Sequence, residues 1–292
     1  MSIPQVGFSH QQSKQAELQI IELSDLYEHK RIDHSPEQPH RINFFGIICI
    51  EEGCGNHMVD FESHPFERGS VLFVQREQVH SFDFSSRPNG KILLFTQAFL
   101  DQVHANMKLP NYTPTHLNDK HSPLLQLSDD EHRKASVFIE QMRDEIQHGA
   151  RDPLIVMYLF SALALSLHRL RPEIRQDKLS QEQSVRFARF FELMQSHSQS
   201  VRDANWYAHQ LNTTYKTLNL VCKLATGLTA KQMIDAFIII EIKRRLVVSN
   251  VTSQQMAYDF GFEDQSNFVK YFKKLTGFTP SQFSQRYRTP IL

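Results

Sequence analysis

Residues 206–227 read WYAHQLNTTYKTLNLVCKLATG, and residues 256–277 read MAYDFGFEDQSNFVKYFKKLTG. Ala208 matches Ala257 and Leu211 matches Phe260 at an offset of 49. Leu218 then matches Phe268, Cys222 matches Phe272, Lys223 matches Lys273, and both segments close on Thr-Gly, now at an offset of 50. The second copy therefore has a turn one residue longer. Each copy joins a short apolar-periodic segment to a longer amphipathic one through a turn, which is the pattern of a helix-turn-helix. The second helix of such a unit enters the DNA major groove, so two in tandem predict a chain that reads two successive groove segments.

Each physical requirement of the unit has a residue to meet it. Ala208 and Ala257 are small enough for two helices to cross closely. Gly261 takes positive φ without strain, and Asn212 tolerates it better than most residues. Thr214 and Asp264 are good N-caps for the second helix. Helical spacing turns Leu218, Val221 and Cys222 inward in the first unit, and Phe268, Tyr271 and Phe272 in the second. The remaining positions face a groove: Tyr215, Lys216, Asn219, Leu220 and Lys223, then Gln265, Ser266, Asn267, Val269, Lys270 and Lys273. Asn and Gln pair bidentately with adenine, Lys reaches guanine or phosphate, and an apolar tip meets a thymine methyl.

Charge supports this placement. Residues 184–292 hold 14 Lys+Arg against 7 Asp+Glu, a balance of +7. The chain is formally neutral, so residues 1–183 carry −7. Such asymmetry assigns the polyanion to the C-terminal part. Length suits two domains rather than one. The polar, Pro-initiated stretch PEIRQDKLSQEQ (172–183) reads as the linker between domains 1–171 and 184–292.

The N-terminal domain reads as short strands followed by helices. INFFGIICI, HMVDF, SVLFVQ, HSFDF and KILLFT are separated by turn signals at Glu-Glu-Gly, Arg-Gly and Pro-Asn-Gly, a spacing that suggests a small barrel or sandwich. Ser128-x-x-Glu131 is a capping box for a helix to about His148. A second helix from Asp152 to Leu170 is apolar on more than one face, so it is expected to be covered on two sides, one of them by a second subunit. In the C-terminal domain, Phe187, Phe190, Phe191 and Met194 form a core stripe, and Thr229-x-x-Gln232 and Thr252-x-x-Gln255 are further capping boxes.

Several function classes find no support. Cys49, Cys54 and Cys222 lack metal or disulfide spacing and suit a reducing cytoplasm. MSIPQVGFSHQQ lacks a basic start followed by an apolar run, and the apolar stretch 154–167 is too short for a bilayer, so neither leader nor membrane partner is expected. No nucleophile elbow and no glycine-rich phosphate loop is present, so neither a catalytic residue nor a cofactor is assigned.

Segment 184–288 resembles the DNA-binding domain of the AraC/XylS family of transcriptional regulators. AYDFGFEDQSNFVKYFKKLTGFTPSQF (257–283) is similar to that family's C-terminal signature, with Gly261-Phe262, Phe268, Phe272-Lys273-Lys274, Thr276-Gly277 and Thr279-Pro280 in place. The resemblance implies base contacts from Lys216, Asn219 and Leu220, and from Gln265, Ser266 and Lys270. Leu220 and Lys270 stand where the family commonly carries a basic residue and Arg. PHRINFFGIICIEEGCG and RGSVLFVQREQVHSF resemble the strand blocks of the family's cupin-like sensor barrel.

The expected architecture is α+β: a cupin-like β-barrel with a helical dimerisation module, then an all-α domain with two helix-turn-helix units. The expected function is a sequence-specific, effector-responsive activator. Its expected partners are promoter DNA, a small-molecule effector, RNA polymerase and a second copy of itself. His40, Arg41, Phe45, His80 and Phe82 are the candidate effector residues. For the two histidines the alternative is hydrogen-bond closure at the barrel mouth, for Arg41 it is a solvated rim charge, and for Phe45, Phe82 and Phe95 it is core packing. An effector-independent DNA-binding protein keeps the same DNA contacts. A metal-dependent cupin enzyme needs three or four converging ligands, whereas Ile42 replaces the second His of the first cupin motif and only His80 matches the second. No metal site is assigned.

Overall fold

The structure is a computed structural model that describes residues 4–9, 17–28, 35–107, 122–147, 153–171, 179–248 and 251–288. The chain divides into two compact units, one built from residues 4–109 and 122–173, the other containing residues 174–292.

The first unit is a pair of five-stranded sheets with helices on one outer face. Its strands are β1 (Gln5–Val6), β2 (Leu18–Glu22), β3 (His40–Ile42), β4 (Phe45–Glu52), β5 (Gly55–Val59), β6 (Glu62–Phe66), β7 (Ser70–Val74), β8 (Val79–Phe82), β9 (Asn89–Phe95) and β10 (Leu124–Gln126). Its helices are α1 (Leu23–Glu28), α2 (Gln97–Met107), α3 (Asp129–Gln147) and α4 (Pro153–Arg169). One sheet runs β1-β3-β8-β5-β6 and the other β10-β7-β4-β9-β2. The single apolar run 42–50 breaks at Asn43-Phe44, where the chain leaves the first sheet as β3 and enters the second as β4.

Strand β4 explains why alternation is hard to read in this sequence. Ile48 and Ile50 point between the sheets, with Ile42, Phe66, Leu72, Val74, Phe82 and Ile92. Ile47 and Cys49 point the other way, into a second core with Val71, Leu93, Phe95 and the helices' Ile139, Met142, Phe160 and Leu163. A strand buried on both faces is apolar at every position. Gly90 sits where β9 meets an irregularity in β4, and a Cβ there would lie 2.1 Å from the Cys49 carbonyl oxygen. The glycine of Pro-Asn-Gly therefore belongs to the strand, where only glycine fits. Strand β6 carries Pro65 at the sheet edge, where a missing N–H costs no ladder bond.

The capping box at Ser128 forms in both directions with Glu131 and opens α3. Helix α4 buries Val156, Met157, Phe160, Leu163 and Leu167 against the second sheet. Its opposite side is not covered within the described chain: Leu154, Ile155, Tyr158 and Leu165 are exposed.

The second unit is all helical: α5 (Gln181–His197), α6 (Ala204–Gln210), α7 (Tyr215–Thr226), α8 (Ala230–Val248), α9 (Ser253–Asp259), α10 (Gln265–Thr276) and α11 (Pro280–Arg288). Phe187, Phe190, Phe191 and Met194 form the buried face of α5. That helix starts inside the stretch expected as linker, because Ser180 and Gln183 make a reciprocal capping box. Residues 172–178 of the expected linker lie outside the described chain. Helix α8 joins the two repeats and buries Met233, Ile234, Ile238 and Ile242 completely. The expected box at Thr252 forms only halfway: its hydroxyl accepts from the Gln255 N–H, while the Gln255 side chain turns to Asp259. Thr229-Gln232 and Thr279-Gln282 form full boxes at the same offset of 50, so the repeat extends past both Thr-Gly ends.

Candidate nucleic-acid interface

Helices α6 and α7 form the first helix-turn-helix and α9 and α10 the second. The crossing alanines Ala208 and Ala257 are buried. Asn212 has φ 49° and Gly261 φ 65°, so both turns close through the left-handed region. The turn is four residues long in the first unit (211–214) and five in the second (260–264). Thr214 accepts from the Thr217 N–H and Asp264 from the Asn267 N–H, each satisfying an orphan donor of the helix start. Gly227 and Gly277 end the helices at φ 77° and 78°, each N–H bonding back to Lys223 or Lys273.

The buried faces are those expected. Leu218, Val221 and Cys222 are fully enclosed, as are Phe268 and Phe272. Tyr271 is half-buried and donates its hydroxyl to Asp235 of α8 at 2.8 Å. Burial first, then the Asp235 charge, pushes its phenol well above the usual range.

The outward faces need three refinements. Asn219 turns its carbonyl oxygen to accept the Ala230 N–H at the start of α8, 2.9 Å away. Val269, its repeat partner, is half-buried. Asn267 donates its amide to the Asp264 carboxylate at 3.1 Å while Asp264 caps the backbone, so this side chain is part of the cap. Four matched pairs then remain on the exposed sides: Tyr215 and Gln265, Lys216 and Ser266, Leu220 and Lys270, Lys223 and Lys273. Leu220 is 53% exposed, whereas Leu218, two residues earlier, is 0%. Polar and cationic groups on one side of a capped helix can meet phosphates and base edges, and an exposed leucine can meet a thymine methyl.

In the N-terminal two-sheet unit the candidate effector residues separate. His40, His80 and Phe82 face the space between the sheets. His57, which no sequence spacing singled out, joins them: its Nε2 lies 3.2 Å from His80 Nδ1, and the His40 and His80 rings lie 4.2 Å apart. Strand pairing brings the three together, setting His40 opposite His80 and His57 opposite Phe82. Burial, reinforced by His40 and His64, pushes His57 down to about 3, so its ring is neutral at ordinary pH. Arg41 and Phe45 stand apart from this cluster. Arg41 points away from His40 and Ile42 on its strand and pairs with Glu77. Phe45 lies in the helix-side core, stacked 5.4 Å from Phe95, which in turn meets Phe160 of α4. Among the described residues no group of three or more His, Cys, Asp and Glu is placed to hold a metal ion, and no helix is long and apolar enough to cross a membrane.

Comparison with known proteins gives two family matches. The AraC-like ligand-binding domain matches residues 24–164, and a helix-turn-helix domain matches residues 207–286. The HTH-type transcriptional activator RhaS of Escherichia coli O157:H7 is 23% identical over 265 residues, covering 87% of this chain and 90% of the relative. Among solved structures, ToxT from Vibrio cholerae aligns with 94% of this chain and 100% of its own, at 12% identity and a TM-score of 0.45. The C-terminal domain of AraT, a response regulator from Geobacillus stearothermophilus, covers 36% of this chain and 88% of its own, at 19% identity and a TM-score of 0.34.

Proposed function

The chain belongs to the AraC family of DNA-binding transcriptional regulators, and we propose that residues 184–292 read two adjacent major-groove segments of a promoter while residues 1–171 hold a small-molecule effector and pair two copies. The observation that carries the DNA reading is the set of four repeat-matched, exposed positions on α7 and α10, two helices with equivalent caps set on one connector. Lys216, Lys223, Lys270 and Lys273 supply phosphate or guanine contacts, Gln265 and Ser266 hydrogen-bond base edges, and Tyr215 and Leu220 supply apolar contact. Asn219, Asn267 and Val269 support these helices rather than read bases.

The effector faces His40, His57, His80 and Phe82 between the sheets. It acts by binding one DNA-binding arrangement more tightly than the other. The exposed stripe Leu154, Tyr158 and Leu165 of α4, with Ile155 beside it, is the contact between two copies. RNA polymerase is the partner for activation, and the promoter target places the chain in the cytoplasm. No catalytic role, metal or cofactor enters this account.

Selection from random duplex DNA by the purified full chain at fixed salt tests the reading. The expected product is a bipartite site with halves about ten base pairs apart. Failure to enrich any sequence, by the full chain and by residues 179–292 alike, would overturn it. The fragment starts at 179 so that it keeps the Ser180 cap. Sedimentation equilibrium tests the pairing: Tyr158→Glu should give monomers from a dimeric parent.

A further inference from the structure

Two readers on one chain recognise a bipartite site only if something fixes the distance and rotation between them. Helix α8 sets part of that geometry: Asp235 holds Tyr271 of α10, and Arg245 pairs with Asp259 of α9. These contacts fix the second unit to α8. A different contact links the first unit's entry directly to the second unit's turn, and one side chain supplies its ring and hydrogen-bond contacts.

Arg202 lies in the connection between α5 and α6, next to Asp203, the cap of α6. Val201, on its other side, is held by the Tyr207 hydroxyl at 3.0 Å, and Tyr207 is fully buried in the first unit. The base of Arg202 is therefore anchored to the first reader. Its guanidinium carbon lies 3.7 Å from the centre of the Phe262 ring, and Nη2 donates to the Gly261 carbonyl at 2.6 Å. Gly261 and Phe262 lie in the turn of the second reader. Phe262 in turn packs on Phe268 and Tyr271 of α10, with ring centres 5.4 and 5.2 Å away. The main chain follows the same route: a Cβ on Gly261 would sit 3.4 Å from the Gln199 carbonyl oxygen.

We infer that Arg202 is a positioning residue that sets the register between the two DNA readers, and so the spacing of the half-sites the protein accepts. The inference rests on the proposed DNA reading. A guanidinium suits the task because it is planar and charged: it stacks on the ring and still donates a hydrogen bond in its own plane. Lysine keeps the charge and loses the fork. One inserted base pair rotates the second half-site by about 34–36° and moves it along the axis by about 3.4 Å, so a rigid pair of readers cannot follow.

The test uses the full chain, the selected bipartite duplex, and the same duplex with one or two base pairs inserted between the halves. The wild type should lose about tenfold or more in affinity per insertion. Arg202→Ala should bind the original site several-fold more weakly, yet lose little more on insertion. Phe262→Leu, which keeps apolar packing and removes the ring, should flatten the spacing dependence as Arg202→Ala does. The double variant should be no flatter than either single one. Arg202→Lys should fall between wild type and alanine. A phosphate contact would instead weaken all spacings by one factor and lower the salt dependence, and that result overturns the inference while leaving the DNA reading intact. A wild type that binds every spacing equally also overturns it. A wild type that binds no site overturns both.

Discussion

Helices α7 and α10 have the same length, equivalent N-caps and the same left-handed closing glycine. Yet α7 offers Tyr215, Lys216, Leu220 and Lys223 where α10 offers Gln265, Ser266, Lys270 and Lys273. Three of the four exposed pairs differ in chemistry. Interiors differ too, with Leu218, Val221 and Cys222 against Phe268, Tyr271 and Phe272. The larger set follows from its neighbours: Phe272 meets Phe283 of α11 at 5.6 Å, and Phe268 meets Phe262. What the repeats hold in common are positions where the backbone needs something specific. Exposed positions carry no such demand and cost little to change, so one scaffold can present two unlike reading heads.

The interiors should respond least alike. Phe272→Ala should cost about 3–5 kcal/mol, because a buried aromatic leaves a cavity. Cys222→Ala should cost no more than about 2 kcal/mol. Urea unfolding followed through Trp206, the single tryptophan, reads both. Equal losses would mean that the two helices are packed equivalently despite their sequences.

The reading heads come next. Lys270→Ala should weaken specific binding by about 1–3 kcal/mol and relax base preference at one position of one half-site. Titration against the selected site and single-base variants of it shows whether the loss is local. Leu220 should behave differently. Replacing one thymine of the other half-site by deoxyuridine removes its methyl and should cost about 1 kcal/mol, with no further loss in Leu220→Ala. If every thymine tolerates the change, the first helix does not read by apolar contact.

Among the four exposed pairs, only Lys223 and Lys273 carry the same side chain, and they should act alike. Alanine at either should weaken site and non-site DNA together and reduce the slope of log affinity against log salt by about one. A variant that changed base preference would move that lysine from phosphate to base.

The features that were legible in the sequence are the local ones. Capping at Thr214 and Asp264, positive φ at Asn212 and Gly261, and the buried alanines each depend on a few consecutive residues, and the structure has them all. The Ser180-Gln183 box is equally local, but the polar stretch around it has no apolar period to mark a helix start. Features set by distant pairing were not legible. Phe45 and Phe82 are both strand phenylalanines, and only the sheet each strand joins decides which core each enters. His57 reaches His80 through the β5–β8 register, and Asn219 is drawn from the groove side by an N–H eleven residues on. Arg202 meets Phe262 across 60 residues of chain.

Hydroxyl-radical footprinting of the full chain on its selected duplex tests the central claim most directly. Two unlike readers on one frame predict two protected stretches on one face of the DNA, centred about ten base pairs apart. Lys270→Ala should weaken one stretch more than the other. A single protected stretch, or two stretches that fade together in that variant, would contradict the account.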